Sequence, residues 1–310
     1  MLDKITIGTR KSALALWQTH HVADLLRSVY PDMQIHVTPF STRGDELLDS
    51  ALPAIGGKGV FTEALEQALR DGVIDFAVHS LKDLPTQDAD GLTVGAITAR
   101  AHPGDALVSK GGLRLDDLPY GAIVGTSSRR RSAQLLAYRP DLRMIDIRGN
   151  VGTRIQKALA PDSDYSATVL ACAGLQRLEM NQHINAVLPF DIMLPAPGQG
   201  ALAVQCRDSV VSRQLLAAIN DEKTALSVMA ERAFLAALGG GCSLPVAAYA
   251  TTDGDQLHLR GRVCAVDGRM VIDLRGSTTT DADSAFALGG RLAQEAIAQG
   301  ADRLIAEINT

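Results

Sequence analysis

Strand-like and helix-like patterns take turns along the first two hundred residues of the chain, and that alternation leaves few folds open. Lys4 to Thr9 (KITIGT) reads as a strand, followed by a helix with Ser12 at its N-cap and Leu14, Trp17, Leu25 and Val29 along one stripe. Pro31 closes that helix, and Gln34 to Phe40 (QIHVTPF) is the next strand. A short helix over Phe61 to Arg70 carries Phe61, Ala64, Leu65, Ala68 and Leu69 at helical spacing. Asp75 to Ser80 and Leu92 to Ile97 are strands. After a Pro/Gly break at Thr98 to Asp105, a second series begins. Ala122 to Thr126, Met144 to Gly149 and Ala167 to Cys172 are strand-like, and residues 129–138 and 150–160 are helical in pattern. A second break, Met193 to Gly200 (MLPAPGQG), precedes the strand-like Ala201 to Cys206.

Such alternation implies parallel sheets covered by helices, with ligands at the C-terminal ends of the strands. Two series joined by two breaks imply two lobes with two crossings. The texture changes after Asp221. Glu222 to Leu238 is one Ala-rich helix, and Pro245 to Ser277 reads as a meander turning at Asp253-Gly254-Asp255 and Asp267-Gly268. A last helix spans Asp281 to Gln299 and closes at Gly300. The fold class is therefore α/β with a C-terminal α+β domain. At 310 residues the chain can bury more than one core.

The net charge of −5 argues against a bulk nucleic-acid binder. No run approaches the ~20 apolar residues of a membrane span, and MLDKITIGTR is no signal peptide, so a cytoplasmic location is expected. The four cysteines (Cys172, Cys206, Cys242 and Cys264) show neither C-x-x-C nor zinc-finger spacing, and no metal site is expected.

Four segments could carry chemistry. Between Arg129 and Arg154 lie seven arginines and only two acids. Arginine suits bidentate recognition of carboxylate or phosphate. Thr126-Ser127-Ser128 stands at a strand-to-helix turn, where free N–H groups and hydroxyls favour an anion. Arg148 and Arg154 flank the next such turn. The same charges also suit a solvated face. His79-Ser80-Leu81-Lys82-Asp83 follows a buried strand, placing a lysine and a carboxylate where catalysis or an ordinary exposed ion pair would both fit; His79 alone reads as structural. Gly56-Gly57-Lys58-Gly59 lacks the Ser/Thr of a phosphate loop and reads better as a flexible lid or hinge. Gly239-Gly240-Gly241-Cys242-Ser243 sets a cysteine behind three glycines, where reactivity explains it better than packing, although an inconsequential loop thiol has the same sequence.

Taken together, IGTRKSALALWQ (7–18), GGKGVFTEALEQAL (56–69), DFAVHSLKDLP (75–85), GTSSRRR (125–131), IRGNVGTRI (147–155), AGLQRL (173–178), LPAPGQGALAVQCR (194–207) and GGGCSLP (239–245) resemble the porphobilinogen deaminase family along nearly the whole chain. The resemblance implies two lobes like those of periplasmic binding proteins, 1–98 with 200–217 and 103–193, and a C-terminal domain, 222–310. It implies a dipyrromethane cofactor held by Cys242 through a thioether and Asp83 as the catalytic carboxylate. It further implies that Arg10, Ser12, Lys82, Thr126, Ser127, Ser128, Arg130, Arg131, Arg148, Gly149, Arg154 and Arg177 hold acetate and propionate side chains, with Lys58 and Phe61 on a lid loop. Porphobilinogen units would lose ammonia and join head to tail into the linear tetrapyrrole hydroxymethylbilane, in a monomer that leaves room for handover of product to the next pathway enzyme. Two positions depart from the family pattern: Arg129 replaces an apolar residue, and Ala54 stands where a lysine is frequent. The rival reading is a non-catalytic two-lobed binding protein for a small polycarboxylate. It leaves the third domain and Cys242 without a purpose.

Overall fold

The structure is a computed structural model that describes residues 4–41, 62–241 and 244–307. The strands in chain order are β1 (Lys4–Arg10), β2 (Gln34–Phe40), β3 (Phe76–Ser80), β4 (Leu92–Ile97), β5 (Asp105–Ser109), β6 (Ile123–Gly125), β7 (Arg143–Ile145), β8 (Ala167–Ala171), β9 (Ala186–Val187), β10 (Leu202–Arg207), β11 (Val246–Asp253), β12 (Gln256–Cys264) and β13 (Val271–Thr279). The helices are α1 (Ala13–Val29), α2 (Glu63–Arg70), α3 (Arg129–Tyr138), α4 (Val151–Leu159), α5 (Cys172–Arg177), α6 (Val210–Ala217), α7 (Glu222–Ala237), α8 (Ala282–Ala298) and α9 (Ala301–Ala306). By its contacts the chain divides into two compact units, Met1–Ala101 with Ala201–Ala225, and His102–Gly200 with Leu226–Thr310.

The first unit holds a sheet of order β2-β1-β3-β10-β4. β1 runs parallel to β2 and β3 because α1 carries the chain back across the sheet before β2 begins. Ile5, Ile7, Phe76 and Val78 on one face pack against Val22, Ala23 and Leu26 of α1. Ala77 on the other face packs with Leu65 and Leu69 of α2. Burial on both faces accounts for the nearly continuous apolar strands. The buried stripe of α1 is Thr19, Val22, Ala23 and Leu26, not the stripe through Trp17 and Val29, both of which are exposed. Trp17 stacks instead on His21, one turn along the same helix.

The second unit contains a sheet of order β7-β6-β8-β5-β9 and a separate meander β11-β12-β13. Its first sheet repeats the plan of the other unit: two parallel pairings at the centre, then a strand antiparallel to both of its neighbours. That strand is β10 in the first unit, pairing β3 and β4, and β5 in the second. The sheets are thus mixed where parallel sheets were expected. The reason is that β5 and β10 each follow directly on one of the two breaks, with no crossover helix leading into them. Two further differences concern the bounds of elements. Asp105 opens β5 instead of ending a loop, and the strand expected over Met144 to Gly149 is shorter, so that Ile147 to Gly149 form a turn. The meander packs Leu257, Leu259 and Val263 against Phe234 of α7 and Leu288 and Leu292 of α8. Among the described residues, no helix is long and apolar enough to cross a membrane.

Candidate active site

In the first unit, the C-terminal ends of β1 and β3 lie side by side and the chain turns sharply after each. After β1, Ser12 caps α1 by accepting a hydrogen bond from the Ala15 N–H at 3.3 Å. After β3, Leu81–Asp83 form one tight helical turn, held by the Leu81 N–H donating to the Ala201 carbonyl at 3.1 Å. The two turns enclose a cavity of about 80 Å³ whose walls include Arg10, Ser12, Gln18, His79, Ser80 and Asp83. Arg10, Ser12 and Asp83 come together here; Lys82 is half-buried on the same turn and outside the wall. Asp83 is exposed and makes no ion pair or hydrogen bond with another described residue. His79 is buried and hydrogen-bonded to Gln205 at 3.1 Å. Burial, with the nearby Arg10 charge adding to it, pushes its pKa down to about 4, so the ring is neutral at physiological pH and fits a structural role. Gln18 escaped the sequence reading. Its amide donates to the Ser80 hydroxyl at 2.8 Å, and a buried glutamine on an otherwise apolar helix face was the available signal.

In the second unit, the turns after β6 and β7 are tied together, because the Ser127 hydroxyl donates to the Ile147 carbonyl at 3.0 Å. Gly125 permits the approach: a Cβ there would lie 3.1 Å from the Ile147 side chain. Ser128 caps α3, accepting from the Arg131 N–H at 3.5 Å, while Thr126 accepts from the Ser128 N–H at 3.2 Å. The first-turn N–H groups of Arg129 and Arg130 have no carbonyl of their own helix within reach. On the neighbouring turn, Asn150 caps α4, and Gly149 adopts φ +117°, where a Cβ would also meet Thr153 at 2.7 Å. Arg154 donates from Nε to the Gly149 carbonyl at 2.7 Å, and Arg148 lies 3.5 Å from Asp146. Thr126, Ser127, Ser128, Arg148, Gly149 and Arg154 therefore form one neighbourhood.

Arg130 and Arg131, expected to aim at ligand carboxylates, turn inward instead. Both are buried and share Asp105, which is 0 % exposed, at 2.8 Å and 2.6 Å. Arg130 also donates to the Leu194 carbonyl at 2.7 Å and Arg131 to the Val169 carbonyl at 2.9 Å. Gln199 joins the same carboxylate at 3.0 Å and bonds the Pro103 carbonyl at 2.7 Å. The start of α3 is rotated so that its second and third residues face β5. The carboxylate they meet lies some 25 residues earlier in the chain, where no local pattern announces it. Two guanidinium groups on one carboxylate leave this buried cluster with surplus positive charge. Arg139 is likewise structural, paired with Asp141 at 2.7 Å. Arg177 is buried, its pKa pushed down to about 10 by desolvation, and it donates to the Gly200 carbonyl at 2.7 Å. Arg129 is half-buried and pairs with no described residue. Lys58, Phe61, Ala54 and Cys242 lie outside the described residues. Gly239 and Gly241, just before Cys242, are exposed, with open space around Gly239.

Residues 5–213 match the family model described as porphobilinogen deaminase, dipyrromethane cofactor binding domain, and residues 225–298 match the model of the C-terminal domain of porphobilinogen deaminase. The chain belongs to the porphobilinogen deaminase family. Similar curated relatives are the porphobilinogen deaminases of Xanthomonas axonopodis pv. citri, 50% identical over 310 residues (99% of this chain, 100% of that one), and of Pelotomaculum thermopropionicum, 46% identical over 306 residues (98% and 97%). As a member of the porphobilinogen deaminase family the chain is an enzyme, a transferase of tetrapyrrole synthesis, and its larger matched segment is the dipyrromethane cofactor binding domain. A more distant likeness is to immunogenic lipoprotein A of Vibrio vulnificus, at 12% identity and a TM-score of 0.42 over 71% of this chain and 96% of that one; the fold class rests on strand order instead.

The donors of the two units fit a polycarboxylate pyrrole group. Each unit presents arginine and hydroxyl groups at strand ends, and the first adds a carboxylate without a described partner at the cavity.

Proposed function

We propose that the chain joins four porphobilinogen units head to tail into hydroxymethylbilane, on a dipyrromethane bonded through a thioether to Cys242. The observation that carries this reading is Asp83, held exposed and without a described partner beside Arg10 and Ser12, within a chain that matches the family models over residues 5–213 and 225–298. When bound, the dipyrromethane supplies the terminal pyrrole carbon to which each new unit is joined.

Loss of ammonia leaves each incoming pyrrole with a delocalised cation. Asp83 stabilises that cation and accepts the pyrrole N–H bond; at ~4 Å and an effective dielectric of 20 such a pair interacts by ~4 kcal/mol, less where water reaches it. Arg10, Ser12 and Lys82 hold carboxylates in the first unit. Thr126, Ser127, Ser128, Arg148, Gly149 and Arg154 do so in the second, where the first-turn N–H groups of α3 add donors. Arg130 and Arg131 act from behind that turn, through the surplus charge of their cluster and by fixing the start of α3. Arg177 acts similarly, by holding Gly200.

The thiol assignment has support from the other three cysteines. Cys172, Cys206 and Cys264 are buried, and burial pushes their thiols up to about 11, away from the thiolate that a carbon–sulfur bond requires. Three functional parts, the two lobes and a cofactor-bearing C-terminal domain, complete the proposal, with Lys58 and Phe61 assigned to the lid loop that the family resemblance implies. A cytoplasmic monomer that hands its product to the next enzyme of the pathway fits the same reading. Incubating the purified protein with porphobilinogen tests it. Linear tetrapyrrole should form with one ammonia released per pyrrole consumed; stable binding without ammonia release would instead indicate a binding protein.

A further inference from the structure

Three buried hydroxyls among the described residues, those of Thr19, Thr62 and Thr98, lack a hydrogen-bond partner, and of these only Thr62 lines the cavity with Arg10, Ser12 and Asp83. Thr62 is 2 % exposed. It occupies the N-cap of α2, where a threonine side chain ordinarily accepts a hydrogen bond from the helix's first turn, yet it makes no such bond. A buried hydroxyl left unpaired is costly, and such groups in native proteins call for a specific reason. Helix capping does not supply one here, and neither does any other described group.

We propose that Thr62 is a substrate ligand: its hydroxyl donates to a carboxylate oxygen of the incoming porphobilinogen. The proposal rests on the reading that this cavity receives the pyrrole. Arg10 and Ser12 make one side of the cavity favourable to an anion, while Asp83 repels carboxylates and draws the cationic part of the substrate. Thr62, one residue ahead of the first turn of α2, adds a donor beside the positive end of the helix dipole. A χ1 rotation carries the hydroxyl to another staggered position, so it can be re-aimed without backbone movement.

The test compares Thr62→Val, Thr62→Ser and Arg10→Leu, each purified with its cofactor and checked by intact mass. Thr62→Val keeps the shape and removes the donor. Its KM for porphobilinogen should rise roughly tenfold or more, the usual loss for a hydrogen bond to a charged group, with a smaller change in kcat. Its Tm should hold or rise, because a methyl replaces an unpaired hydroxyl. Thr62→Ser should restore the wild-type KM. An unchanged KM in Thr62→Val, or a lowered Tm with KM unmoved, overturns the proposal. Arg10→Leu separates the two claims. If it raises KM while Thr62→Val does not, only the Thr62 assignment fails; if neither variant moves KM, the cavity is not the substrate site and the functional reading itself fails.

Discussion

The two α/β sheets share a strand order but treat their charged residues in opposite ways. In the first unit charged and hydroxyl side chains at the strand ends line a cavity: Asp83 is exposed without a described partner, and Arg10 and Ser12 form part of the wall. In the second, Arg130 and Arg131 are enclosed and saturated by Asp105 and by the Leu194 and Val169 carbonyls. A carboxylate at a cavity mouth can meet a transient cation at little cost to the fold. Buried arginines cannot leave their partner, because an unpaired buried charge costs several kcal/mol. The contrast separates groups that line a cavity from groups that hold the frame, although sequence motifs present both as site residues.

The sharpest way to break this contrast is Asp105→Ala, which strands two buried guanidinium groups. It should destabilise the protein by about 3–5 kcal/mol in urea unfolding. A loss under 1 kcal/mol would mean that the arginines are free to serve elsewhere. Asp83→Asn should do the reverse, lowering turnover by ~10²–10³-fold, or about 3–4 kcal/mol of transition-state stabilisation, while leaving the unfolding midpoint in place. Near-normal turnover would remove Asp83 from the chemistry.

A smaller effect is expected from pH. His79 has a folded pKa of about 4 against an ordinary 6.5, so the unfolded chain binds the proton more readily. Its contribution is fully present above pH 6.5 and is lost as pH falls toward 4, amounting to about 2 kcal/mol between pH 8 and pH 5. In His79→Leu that part of the acid sensitivity should disappear; an unchanged pH profile of stability would argue that His79 is charged in the fold. Least of all should Arg129→Leu matter, costing under ~1 kcal/mol in stability or in binding, since the side chain has no described partner to lose. Damage equal to that of Arg131→Leu would mean that the whole cluster works as a diffuse field.

Much of this was legible in the sequence, and the exceptions have physical causes. The parallel core of each sheet follows from helices interleaved with apolar strands, and the caps Ser12, Ser128 and Asp281 stand where helix-start chemistry requires them. β5 and β9 were hidden because each pairs with strands distant in sequence and has no helix of its own. The facing of α1 was misread because apolar side chains also lie on its solvent side, Trp17 among them. In the candidate site, Asp83 and Arg10 were singled out by the family resemblance, and neither segment alone announced the cavity they share. The capture of Arg130 and Arg131 by Asp105 was not, since a long-range buried ion pair leaves no periodic trace.

The central claim is that the chain carries a covalent pyrrole cofactor on Cys242. Intact-mass spectrometry of the purified protein and of Cys242→Ser tests it most directly. The wild-type chain should be heavier than its sequence by one dipyrromethane, and the variant should have the bare sequence mass with almost no activity. A wild-type protein at its sequence mass, or an adduct that persists in Cys242→Ser, would contradict the account.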